Sequence, residues 1–256
     1  MIASERKRYI MQQLNEKGII ILKEISKELE ISEVTARRDF EKLEREGKLK
    51  RVLGGATLDE NQEVSTDGAE LTMKEKKMLH KKEKQNVAEF AARYVQDDDS
   101  VFLDAGTSMV PLMRILEKRK VKIVTYNELL ISSAVNPVAD IFVIGGQHRP
   151  YYSINVGPVA QDVLKQFYFN KAFLGCSGID LNQNMVYTTE MESLLMKRIA
   201  LENSDESYLL VDHSKLNRRN YLKLAETSAF TNIICNGTRN PEAGIEYPEN
   251  LIFTLT

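Results

Sequence analysis

The stretch that most limits what this chain can become runs from Ile31 to Ala56, ISEVTARRDFEKLEREGKLKRVLGGA. Ser32 has the side chain of a helix N-cap, since its hydroxyl can accept from a backbone N–H in the next turn. The pattern predicts a helix from about Glu33 to Glu46. Ala36, Phe40 and Leu43 recur at i, i+4 and i+7 and make one apolar stripe. Arg37, Arg38, Lys42 and Arg45 fall largely off that stripe. Gly47 suits the position after the last turn, where a positive φ is needed. A basic segment follows, Lys48-Leu-Lys-Arg51, and Gly54-Gly55 reads as a turn. A basic helix followed by a basic hairpin has the outline of a winged helix-turn-helix. Taken alone, the helix reads as readily as a solvated amphipathic one.

The residues upstream shift that balance. Ser4 can cap a helix running to about Lys17, with Gly18 as its stop. Ile19 to Leu22 is β-prone, and Lys23 to Leu29 is a second short helix. Three short helices with a tight turn before the third would lay that third helix in a DNA major groove. Arg37 and Arg38 can form bidentate bonds to guanine or pair with phosphates, and Ser32 and Thr35 near the helix start can reach phosphate or base edges. Lys42 extends the basic face. Lys48, Lys50 and Arg51 suit phosphate contacts from the wing. Asp39 serves equally as an ion-pair partner or as a reader. Residues 1–58 hold 13 Lys/Arg against 10 Asp/Glu, a net of +3, while the remainder holds 22 against 27. A basic head on an acidic body fits a DNA-reading module joined to something else.

At 256 residues the chain can hold two modest domains. Residues 58–73, LDENQEVSTDGAELTM, are acidic and aperiodic, so we expect domains at 1–58 and 74–256 with a linker over 59–73. No apolar run approaches the roughly 20 residues that span a bilayer. The start, MIASERKRYI, lacks the apolar core of a secretion signal. Cys176 and Cys235 are the only cysteines, too few for a disulfide framework. These features point to a reducing, cytoplasmic home and no membrane partner.

From Lys74 the pattern alternates. Lys74 to Lys84 carries six lysines, read as a solvated helix face. The helix continues through Val87, Phe90, Ala91 and Tyr94. Short apolar runs follow at 101–103, 122–125, 139–144, 171–175 and 208–211, with further candidate strands at 232–235 and 251–253. Helices are expected to about Lys118 and over 127–134, 156–166 and 189–201. Such alternation indicates an α/β fold, a Rossmann-like parallel sheet covered on both faces. Ligands bind at the carboxyl ends of such strands. Asp104, Gly106, Thr107, Ser108, Asn127, Gly145, Gly146 and Asp212 all fall there. Asp-Ala-Gly-Thr-Ser at a strand-to-helix turn suits a phosphate: a close backbone, two hydroxyls and the free N–H groups of a helix start. No GxxxxGK[ST] or GxGxxG occurs, so neither a Walker loop nor a dinucleotide cofactor is expected. No histidine set has metal-ligand spacing. Gly175-Cys-Ser-Gly178 lacks one spacer of a GxSxG elbow, and Cys176 reads as a small core residue. Asp104, Asp212, Glu190 and Lys215 could supply acid/base chemistry, so an isomerase-like enzyme stands as the alternative.

The run ERKRYIMQQLNEKG…LKEISKELEISEVTARRDFEKLEREGKLKRVLGGA resembles the N-terminal domain of the DeoR family of bacterial transcription regulators. Ala36, Phe40 and Leu53 depart from that family's usual Ile, Leu and His. The pieces LDAGTS, VTYN, IGGQ, VGP, AFLGCSGID and VDHSK are similar to its sensor domain, whose fold is related to ribose-5-phosphate isomerase. The resemblance implies a repressor of carbohydrate genes, without enzymatic activity. It implies a phosphorylated-sugar effector rather than a cofactor, with Asp104, Gly106, Thr107 and Ser108 at the phosphate turn. Asn127, Gly145 and Gly146 would line the sugar pocket, and Lys215 would add positive charge. Double-stranded operator DNA is the expected partner. A homo-oligomer is expected too, because DNA readers usually pair half-sites by symmetry.

Overall fold

Three helices open the chain in the computed structural model, which describes residues 3–17, 19–46, 48–52, 54–57, 79–239 and 246–254. They are α1 (Ala3–Lys17), α2 (Leu22–Glu28) and α3 (Glu33–Arg45). Ser32 caps α3 as expected, its hydroxyl accepting from the Thr35 N–H at 3.1 Å. Ile10, Leu14, Ile25, Phe40 and Leu43 meet in one buried cluster. Ala36 and Phe40 are both fully buried, a small residue beside a large one. Asp39 is also buried and takes a two-pronged hydrogen bond from Arg6 of α1, at 2.7 and 3.4 Å. That pairing settles the choice left open for Asp39: it locks α1 to α3.

The wing is β2 (Lys50–Val52) and β3 (Gly55–Thr57), antiparallel, with β1 (Ile19–Ile21) on the far side of β3. The two glycines have different reasons. Gly54 has φ +83°, and a Cβ on Gly55 would stand 2.1 Å from the Ile20 carbonyl oxygen. Expectations for Gly47, Leu53, the linker over 59–73 and the helix start over 74–78 lie outside the described residues. The chain divides into two compact units, Met1–Leu79 and His80–Thr256.

The second unit begins with α4 (Lys81–Ala91) and is built on a seven-stranded sheet. Its strands are β4 (Ser100–Leu103), β5 (Lys122–Thr125), β6 (Asp140–Val143), β9 (Phe169–Leu174), β12 (Ser204–Val211), β14 (Asn232–Asn236) and β15 (Leu251–Thr254). Every neighbouring pair is parallel. Helices α5 (Met109–Leu116), α6 (Glu128–Ile131), α7 (Pro158–Leu164) and α8 (Met191–Glu202) connect them. The central strands are apolar runs because helices cover both faces; Phe102, Phe169, Ala172 and Leu209 are fully buried.

Strand order is β15-β14-β12-β9-β4-β5-β6. The chain lays β4, β5 and β6 outward in one direction, then returns to the other side of β4 for β9, β12, β14 and β15. The order therefore reverses between β4 and β9, and their carboxyl ends open a crevice there.

The expected helices were too long in two places. The helix after Asn127 is one turn, and Val156 belongs to a strand, since Gly157 breaks the chain (φ +94°) before Pro158 starts α7. Five short antiparallel strands were not expected: β7 (Gln147–Arg149) with β8 (Ile154–Val156), and β10 (Gly178–Asp180), β11 (Met185–Thr188) and β13 (Leu222–Glu226) as a small separate sheet. Runs of three to five residues carry too little period to separate from loop.

Candidate functional sites

On α3 the solvent face lies opposite the Ala36, Phe40 and Leu43 stripe. It exposes Val34, Arg37, Arg38, Lys42 and Arg45. Among the described residues, Arg37, Arg38 and Lys42 have no carboxylate partner. Three guanidinium or ammonium groups thus stand open on one side of a capped helix, the arrangement a polyanion would meet. Ser32 and Thr35 sit at its start with hydroxyls 2.9 Å apart.

The wing cations are different. Arg51 turns back onto α3, donating to Glu44 at 2.7 Å and to Glu41 at 3.0 Å, while its backbone N–H also reaches Glu44 at 2.9 Å. These bonds hold the Glu44 carboxyl below its usual range. Arg51, expected at phosphate from the wing, here clasps the wing to the helix. Lys48 pairs with Glu46 at 3.0 Å. Lys50 lies on β2, and its side chain is outside the described residues.

In the second unit, the turn after β4 presents a set of open donors. The backbone N–H groups of Ala105, Gly106, Thr107 and Ser108 find no acceptor among the described residues, and neither hydroxyl of Thr107 or Ser108 is internally bonded. They lead directly into α5. Successive free amides at a helix start favour an anion.

Asp104 has another task. It is fully buried and its two oxygens are occupied. One accepts from the Tyr126 hydroxyl at 2.6 Å; the other accepts from the Gly175 N–H at 2.9 Å and from the Lys197 ammonium. Lys197 also donates to the Gly175 carbonyl at 3.0 Å. Burial, and the carboxylate beside it, push the Tyr126 phenol well up, so it stays a donor. Expected at the phosphate turn, Asp104 ties the β4 turn to the β9 turn.

Asn127 is likewise a tie. It is fully buried, its amide nitrogen donating to the Ala105 carbonyl at 2.9 Å and its oxygen capping Leu129 N–H at 2.9 Å. Gly146 is needed for packing, since a Cβ there would stand 2.6 Å from the Val156 carbonyl oxygen. Gly145 and Gly146 follow β6 at the sheet edge, two strands from β4. Lys215 follows β12 and is part-buried. Burial lowers its ammonium to about 7, and Arg218 acts in the same direction.

A family model described as the DeoR C-terminal sensor domain matches residues 79–237, and one described as the DeoR-like helix-turn-helix domain matches 6–62. The chain belongs to the DeoR family. It is 32% identical over 247 residues to the lactose phosphotransferase system repressor of Lactococcus lactis, covering 94% of both chains. It is 31% identical over 243 residues to the HTH-type transcriptional regulator YulB of Bacillus subtilis, covering 94% of this chain and 92% of that one. Among solved structures, ribose 5-phosphate isomerase A of Methanocaldococcus jannaschii shares 19% identity, with TM-score 0.39, over 52% of this chain and 53% of that one.

As a DeoR-family chain with repressors among its relatives, this is a regulator and not an enzyme. The carboxylates of the alternative reading do structural work. Glu190 caps α8 through the Glu192 N–H at 3.0 Å and the Ser193 N–H, and Asp212 caps the turn at Ser214. Burial pushes the thiol of the half-buried Cys176 up to about 12. His148 meets Glu128 at 3.1 Å on the surface, and His213 meets the His80 ring edge-on at 5.7 Å. No group of residues among those described could hold a metal, and none of their helices is long and apolar enough to cross a membrane.

Lys197 is the residue that sequence reasoning missed. Its signal was available: Ser193, Lys197 and Ala200 recur at i, i+4 and i+7 on the buried side of α8. A lysine inside such a stripe asks for a buried carboxylate.

The Lys215 shift has a measurable sign. Between about 7 and 10.5 the folded chain binds fewer protons at this site than the unfolded one, so stability rises with pH through that window. The thermal midpoint of Lys215→Met should therefore climb less from pH 7 to pH 9 than that of the parent. Equal slopes would show that the ammonium is solvated.

Proposed function

We propose that this DeoR-family regulator represses carbohydrate-uptake genes and that a phosphorylated sugar bound at the carboxyl end of its parallel sheet sets its grip on operator DNA. Two relatives named as lactose phosphotransferase system repressors support the gene class. The observation that carries the effector is the run of open donors from Ala105 to Ser108 at the strand-order reversal. The open basic face of α3 supplies the DNA contact, with Arg37 and Arg38 as its principal readers. Self-association would place two such helices on paired half-sites. The effector and the operator must affect each other's binding equally, and a coupling of about 1–3 kcal/mol gives roughly 5- to 150-fold.

The test is operator binding by fluorescence anisotropy on promoter DNA flanking the chain's own gene, with pentose and hexose phosphates titrated in. Thr107→Ala should weaken the effective sugar phosphate by about 10-fold or more, the loss expected for a hydrogen bond to a charged group. Its effector-free operator affinity should stay within about 2-fold of the parent. Unchanged effector affinity in Thr107→Ala would remove the phosphate turn from this reading.

A further inference from the structure

Gly175-Cys176-Ser177-Gly178 joins β9 to β10 and forms the second wall of the reversal crevice. Three observations place it against the β4 turn. The Gly175 N–H donates to Asp104 at 2.9 Å. A Cβ on Gly106 would lie 3.5 Å from the Gly175 Cα, and the reverse approach is the same. Lys197 spans both turns by bonding Asp104 and the Gly175 carbonyl. The backbone of Ser177 is fixed, its N–H donating to the Tyr187 carbonyl at 2.9 Å.

The side chain of Ser177 is different from everything around it. The residue is 8% exposed. Among the described residues, its Oγ is the one buried side-chain nitrogen or oxygen with no hydrogen-bond partner. A buried hydroxyl left unmatched is costly, and native chains rarely keep one without a use.

We propose that Ser177 Oγ is a binding contact for the neutral polyol part of the effector, exchanging hydrogen bonds with a sugar hydroxyl or carbonyl oxygen. The proposal rests on the effector reading above and adds the second wall of that site. A serine hydroxyl both donates and accepts, which matches a sugar hydroxyl in either direction. The phosphate belongs on the other wall, where the open backbone N–H groups of Ala105 to Ser108 stand beside two hydroxyls at a helix start. Beside Ser177 the Lys197 ammonium is already paired with the Asp104 carboxylate, so that wall offers a phosphate no uncommitted charge from this pair.

The experiment compares the full-length parent, Ser177→Ala and Thr107→Ala. Calorimetric titrations use inorganic phosphate and a panel of pentose 5-phosphates and hexose 6-phosphates, and ligand-free thermal midpoints are recorded. Ser177→Ala should bind the tightest sugar phosphate about 3- to 10-fold more weakly, the effect of one neutral hydrogen bond. It should hold inorganic phosphate within about 2-fold of the parent, and its ligand-free midpoint should be unchanged or higher, since an unmatched group is gone. Thr107→Ala should weaken both ligands. A lower ligand-free midpoint in Ser177→Ala would reveal an internal partner and overturn the proposal. Unchanged sugar-phosphate affinity, or equal losses for both ligands, would overturn it as well. A parent that binds phosphate but no sugar phosphate would end the Ser177 role and leave the anion turn standing. A parent that binds neither would end the effector reading and this proposal together.

Discussion

Alanine in place of Lys197 is expected to cost the sensor unit roughly 3–5 kcal/mol, the usual result of removing one partner of a buried ion pair. Both side chains are almost wholly enclosed, with Lys197 at 5% and Asp104 at 0% exposed. The variant would leave a carboxylate in the core with only Tyr126 and the Gly175 N–H for company. It would also strand the Gly175 carbonyl that Lys197 serves. Urea unfolding followed by circular dichroism would show the loss as a lower midpoint. Replacing both partners, Lys197→Met with Asp104→Leu, should recover much of the stability, because the desolvated charges disappear together. A single-variant loss below about 1 kcal/mol would mean that the pair is not enclosed as described.

Alanine at Arg37 or at Arg38 is expected to weaken operator binding by about 1–3 kcal/mol each if the guanidinium reads a base, which is roughly 5- to 150-fold. The reason lies in what these groups do without DNA. Neither meets a carboxylate among the described residues, so neither must give up a partner to reach the duplex. Salt dependence separates the two kinds of contact. A lost phosphate contact lowers affinity on every sequence and reduces the slope of log affinity against log salt by about 1. A lost base contact relaxes preference at one position of the site. Operator affinities matching the parent's in both variants would remove α3 as the reading element. Arg51→Ala offers a contrast, since its guanidinium is held by Glu41 and Glu44 and its loss should act first on the wing.

The winged module was legible because each of its cues is local. Ser32 caps three residues away, the apolar stripe repeats within one helix, and Gly54-Gly55 marks its own turn. The parallel sheet was legible for a similar reason: strands covered on both faces read as continuous apolar runs. Of the proposed effector site, only one wall carries local cues. Thr107 and Ser108 announce themselves beside a glycine at a strand end. Asp104 looked equally suited to a ligand, but its partners Tyr126 and Lys197 lie 22 and 93 residues away. Asn127 has the same kind of distant tie, a bond to Ala105 that spans two strands. Ser177 gives no local sign at all, since an unmatched hydroxyl is defined by everything that surrounds it.

The clasp between Arg51 and α3 bears on how the head meets its target. A hairpin pinned to the helix by two carboxylates arrives already oriented, so little freedom remains to be surrendered on contact. The surface offered to one groove is then set by the fold before any duplex is met.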